Sequence, residues 1–88
     1  MIPVGPAIKT FYKYDRTLKI VICQRTDTQA YTFIEWVYEE AEQRWRRLVA
    51  WFGECETVDE AIQVAKDFSD WLPAELERQQ GAGEEKIH

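Results

Sequence analysis

The chain has 88 residues, 45% of them hydrophobic and 31% charged, with a net charge of −5. This is material for one domain near the lower limit of unaided folding, and its composition excludes a disordered chain. No apolar run approaches the ~18 residues that cross a bilayer as a helix. The first residues, Met1 to Pro6, lack the basic start and apolar core of a signal peptide, so a reducing cytoplasm and no membrane partner are expected.

Residues 1–6 read as an extended lead-in, because two prolines and a glycine disfavour regular structure. Ala7 to Tyr14 is rich in β-branched and aromatic residues and predicts a first strand. Asp15-Arg16-Thr17 follows as a polar turn. Leu18 to Arg25 alternates, with Leu18, Ile20 and Ile22 on one face and Lys19, Val21, Cys23 and Arg25 on the other, which signals a hairpin. Thr26 to Gln29 is the next polar break.

Ala30 to Phe52 admits two readings. As strands, Tyr31 to Tyr38 and Arg44 to Phe52 flank a Glu39–Gln43 loop. As one helix, Ile34, Tyr38, Ala41, Trp45, Leu48 and Phe52 form a stripe, with Glu40/Arg44 and Glu42/Arg46 at i,i+4 spacing. The strand-favouring residues of the first half, and the position of Trp36 off that stripe, select two strands.

The last element is helical. Thr57-Val58-Asp59-Glu60 fits a capping box, and Val58, Ala61, Ile62, Ala65, Phe68 and Leu72 recur at helical spacing. Pro73 should interrupt the helix at Leu72, because the residue before a proline avoids the α region. Ala74 to Gln80 can add a turn or two. The expected fold is therefore α+β, a four-stranded antiparallel meander with one C-terminal helix on one face. The alternative is a β-hairpin followed by two helices. Residues 1–80 form the expected single domain, and 81–88 a disordered tail.

Chemistry-bearing motifs are sparse. The single serine, Ser69, falls within the expected helix and the single histidine, His88, ends the chain, so a nucleophile–base pair is not expected. Cys23 and Cys55 are 32 positions apart and belong to no CxxC; they read as buried free thiols rather than zinc ligands. No phosphate-binding glycine loop occurs, and no cofactor or metal is expected. Glu35 and Glu39 are the carboxylate pair with some claim to acid–base work, although a domain of this size has little material for pocket walls.

Charge is uneven along the chain: +4 over residues 1–25, −2 over 26–52 and −7 over 53–88. Four Trp, four Tyr and four Phe form the other surplus. One helix covers one face of a sheet, so some of these rings must lie on the uncovered face, where an apolar patch marks an interaction surface. With Leu18/Ile20/Ile22 and Ile34/Trp36 phased to the helix, Tyr31, Phe33, Trp45, Arg46 and Trp51 are the expected anchors. The sequence thus predicts a non-enzymatic protein-interaction module, of adaptor or inhibitor type, that binds a protein partner or a second copy of itself. The alternative is a nucleic-acid-associated domain using Lys9, Lys13, Lys19 and Arg25 with Arg44, Arg46 and Arg47, which the net charge disfavours. Salt bridges from those arginines to Glu39, Glu40 and Glu42 would explain the cluster without a ligand. The acidic helix, with Asp59, Asp67, Asp70, Glu75 and Glu77, is either a solvated face or a surface for a basic partner.

Overall fold

The computed structural model describes the backbone of residues 4–87 and the side chains of 4–51 and 53–79. Four strands, β1 (Val4–Tyr12), β2 (Leu18–Arg25), β3 (Tyr31–Glu39) and β4 (Arg44–Cys55), precede α1 (Val58–Phe68) and α2 (Leu72–Ile87). The strands form an antiparallel meander in chain order. Ala30 to Phe52 contributes to the sheet, so the hairpin reading holds there. β1 begins before Ala7, taking in Gly5 and Pro6, and α2 includes Gly81 to Ile87, a stretch that composition alone assigns to a tail.

The three hairpin turns share one device. Arg16 (φ 62°), Gln29 (φ 62°) and Gln43 (φ 53°) each adopt the left-handed region that returns the chain to the next strand. The Asp15 carboxylate accepts from the Thr17 amide at 3.0 Å and from its hydroxyl at 2.7 Å, fixing the first turn. In the second, the Arg25 amide donates to the Ala30 carbonyl at 2.8 Å and closes a four-residue loop.

Register decides which side chains share a face. Ile20 pairs with Glu35 and Ile22 with Phe33 across β2–β3. Phe33 pairs with Trp51 across β3–β4, and Phe11 with Ile20 across β1–β2. Phe11, Ile20, Ile22 and Phe33 therefore point to one side, where they form the core with Cys55, Ala61, Ala65 and Leu72. Trp51 stacks on Phe33 at 5.5 Å between ring centres, and Phe68 meets Phe33 edge-on at 5.7 Å. Ile34 and Trp36 lie on the opposite side, one residue out of phase with the expectation that they face the helix.

Bulges account for two exposed apolar residues of the outer strands, Ile8 and Leu48. Ile8 lies between the pairs Ala7–Cys23 and Lys9–Ile22, and Leu48 between Arg47–Trp36 and Val49–Glu35. Both are unpaired and both are exposed. A wider irregularity separates the pairs Phe33–Trp51 and Tyr31–Cys55. There the Thr32 hydroxyl donates to the Trp51 carbonyl, which satisfies an acceptor that the broken ladder would orphan. Gly53 occupies the same irregularity because a Cβ there would overlap the Trp51 indole.

The Thr57 half of the capping box forms as expected, and the return bond shifts by one residue. Thr57 Oγ1 accepts from the Glu60 amide at 3.1 Å. Glu60 Oε2 accepts from the Glu56 amide, one residue before the cap, at 3.1 Å. The helix stops sooner than expected, at Phe68. Ser69 is buried and caps both helices: its amide donates to the Ala65 carbonyl and its hydroxyl accepts from the Leu72 amide at 3.3 Å. Pro73 thus begins the second helix instead of ending the first. In a first turn the missing N–H has no intrahelical partner to lose, and the fixed φ suits the helix.

Candidate functional site

The side of the sheet away from the helices is the candidate surface. Its paired positions are Val4, Ala7, Thr10 and Tyr12 from β1, and Lys19, Val21, Cys23 and Arg25 from β2. From β3 and β4 come Thr32, Ile34, Trp36 and Tyr38, then Trp45, Arg47 and Ala50. None of these is acidic. Cys23, Thr32 and Ile34 on the two central strands are buried, so the accessible rings gather toward the end of the sheet near the first and third turns.

That end carries a compact aromatic group. Trp45 lies 5.3 Å from Tyr38 and 6.1 Å from Tyr12 between ring centres, in tilted geometry. Lys19 Nζ sits 4.4 Å from the centre of the Trp45 ring and 6.0 Å from that of Trp36, and the Arg16 guanidinium lies 4.7 Å from that of Tyr12. Such cation–ring contacts contribute roughly 0.5–1 kcal/mol each at exposed sites. They hold the cations beside the rings. Arg47 forms no ion pair among the described residues.

The five anchors expected from sequence separate. Trp45 belongs to the open face. Phe33 is fully buried, and Tyr31 and Trp51 pack against the same core beneath α1. The pairing of Arg46 with Val37 places it on the helix side, where its Nε lies 3.1 Å from Glu39. Arg44 approaches Glu39 at 3.9 Å and Glu42 at 3.8 Å, so the ligand-free explanation of the arginine cluster describes these two. Tyr12, Lys19, Trp36 and Tyr38 take the vacated places on the open face. The other cations of the nucleic-acid reading divide likewise: Arg25 and Arg47 share the open face, Lys9 lies on the helix side, and Lys13 adjoins the first turn. Arg25 is held by Asp27 through two hydrogen bonds of 2.9 and 2.6 Å, which lower the Asp27 pKa and raise that of Arg25.

The carboxylates with some claim to chemistry have structural partners. Buried Glu35 accepts from the Trp71 indole N–H at 2.8 Å, and Glu39 is shared by Arg44 and Arg46. Buried Glu75 receives Arg78 Nη2 on both oxygens, at 2.6 and 2.7 Å, and is therefore not displayed on the acidic helix surface. Asp59, Asp67, Asp70 and Glu77 are exposed. Burial raises the pKa of both Cys23 and Cys55, in the second case with help from Glu60. Among the described residues no cluster of metal-ligating side chains occurs, and no helix is long and apolar enough to cross a membrane.

The sheet and its open face define a small α+β domain with one aromatic, cationic surface. No family model, curated protein or solved structure matches the chain.

Proposed function

We propose that the protein is a non-enzymatic binding module whose uncovered sheet face receives an acidic, apolar segment of a protein partner. The observation that carries this reading is the group Tyr12, Trp36, Tyr38 and Trp45 with Lys19 and Arg47, on a face whose paired positions hold no carboxylate. Trp, Tyr and Arg are the residues that dominate interface energetics. The paired positions of this face carry Lys19, Arg25 and Arg47 although the chain has a net charge of −5, and the carboxylates of Asp27 and Glu54 act on Arg25. Face-to-face pairing of two copies would oppose like charges, so charge favours a different, acidic partner over a symmetric dimer through this face.

The same cations favour a second reading, a single-stranded nucleic acid stacked on the rings. The paired positions of the open face set no carboxylate against bound phosphates. Recovery of partners by the tagged chain, with and without nuclease and at two salt concentrations, discriminates. A stoichiometric protein retained after nuclease and at raised salt supports the first reading. Recovery that disappears with nuclease and falls steeply with salt replaces it by the second.

A further inference from the structure

At the edge of the sheet, α2 and the first hairpin turn enclose two adjoining clefts of about 340 and 260 Å³. The first is walled by Tyr14, Trp71 and Ala74 and closed by the Glu75–Arg78 pair. The second adds Lys13 and Arg16 beside the shared Tyr14, Glu75 and Arg78. The larger volume falls at the lower end of the ~300–1,000 Å³ typical of small-molecule sites.

The walls are held in place from behind. The Trp71 indole is fixed by its hydrogen bond to buried Glu35, and Arg78 by Glu75, which is 7% exposed. Both bonds to Glu75 use Nη2, so Nη1 and Nε of Arg78 remain available to a ligand. Tyr14 is 72% exposed, an unusual position for a large ring that makes no stacked contact among the described residues. Arg16 holds the left-handed conformation, which is disfavoured for a non-glycine residue. Asp15 is not part of the lining; it accepts two hydrogen bonds from Thr17 that lower its pKa, and its Oδ2 lies 3.9 Å from Lys13 Nζ. The clefts are thus lined by three cations, Lys13 loosely paired with Asp15 and Arg78 with Glu75, and by one carboxylate beside two aromatic walls.

We infer that this double cleft binds a small planar dianion of the nucleoside monophosphate class. The flat base occupies the Tyr14–Trp71 cleft, and the phosphate meets Lys13, Arg16 and Arg78. A guanidinium matches phosphate geometry through paired N–H donors, and a lysine supplies a point charge. The second cleft shares Tyr12 with the open face, but the Tyr14–Trp71 cleft lies outside that face, so a failure read at Trp71 and Tyr14 leaves the protein-partner reading intact.

The test is a titration of the isotope-labelled full chain with AMP and UMP, followed through amide and indole N–H resonances. Adenosine and inorganic phosphate are titrated in parallel. A saturable shift of the Trp71 indole N–H and of the Tyr14–Thr17 amides is expected with at least one nucleotide. Affinity should fall at least about tenfold, near 1.4 kcal/mol, in Tyr14→Ala and in the double variant Lys13→Gln/Arg16→Gln. These substitutions involve turn or half-buried surface positions and spare the Glu75–Arg78 pair, so the fold should survive them. The inference is overturned if millimolar nucleotide leaves Trp71 unmoved, if phosphate alone binds as well as the nucleotide, or if the variants bind like the wild type.

Discussion

Three residues, Arg16, Gln29 and Gln43, turn the chain through the left-handed region without the glycine that adopts it at no steric cost. Relief of that strain should outweigh the added freedom of the unfolded chain, so Gln29→Gly should stabilise the protein by about 0.5–1 kcal/mol. The contact to its carbonyl from Gln24 Nε2 needs only backbone and survives the change. A urea midpoint that fails to rise would show that the Gln29 side chain contributes more than the strain costs. Gly53 is the opposite case. Gly53→Ala drives a methyl into the Trp51 indole and should cost about 1–3 kcal/mol by overpacking. Its measure is the same midpoint, together with loss of the near-ultraviolet signal of the Trp51–Phe33 stack. Burial keeps the two thiols neutral and their pKa values raised. Their stabilising contribution is full below the unfolded thiol pKa and is lost as pH rises through the folded value. Alkylation at mildly alkaline pH should therefore be slow in the native protein and fast in urea. Equal rates would show that the thiols are not protected.

At the level of elements, the strands are legible in local sequence and their phase is not. Alternation in Leu18–Arg25, the β-branched and aromatic run after Tyr31 and the capping box at Thr57 all state local preferences, and all form. Faces depend on register, and a one-residue slip exchanges every side chain between them. The break at Thr26–Gln29 carries that information: a four-residue loop closed by Arg25 and Ala30 forces Ile22 opposite Phe33. Phasing β3 by Ile34 and Trp36 instead puts Phe33 outside, whereas the structure buries it. Phe33→Ala should cost about 3–5 kcal/mol in urea unfolding, whereas Tyr38→Ala should cost under about 1 kcal/mol. Comparable losses would contradict the face assignment. The bulges that release Ile8, Leu48 and the Gly53 region follow from long-range pairing and leave no short-range signal. The early stop of α1 does leave one, since Ser69 followed by Pro73 also reads as a new helix start.

On the scale of the whole molecule, aromatic content divides across the sheet. The helices cover one face, leaving Tyr12, Trp36, Tyr38 and Trp45 with Lys19, Arg25 and Arg47 on the other. Sequence composition shows the surplus of rings and the acidic C-terminal third but not which rings stay outside the core. Of the expected anchors, Trp45 lies among the rings of the open face, while Tyr12, Lys19, Trp36, Tyr38 and Arg47 join it through strand pairing. The central claim is that this face, and not the acidic helices, engages the partner. Capture by the tagged chain should therefore be compared between two charge-altered proteins of unchanged circular dichroism. One carries Tyr38→Ala and Arg47→Glu on the open face, the other Asp59→Lys and Asp67→Lys on α1. The account predicts that the first loses the nuclease-resistant partner and the second retains it. Retention by the first and loss by the second would place the binding surface on the helices and contradict the account.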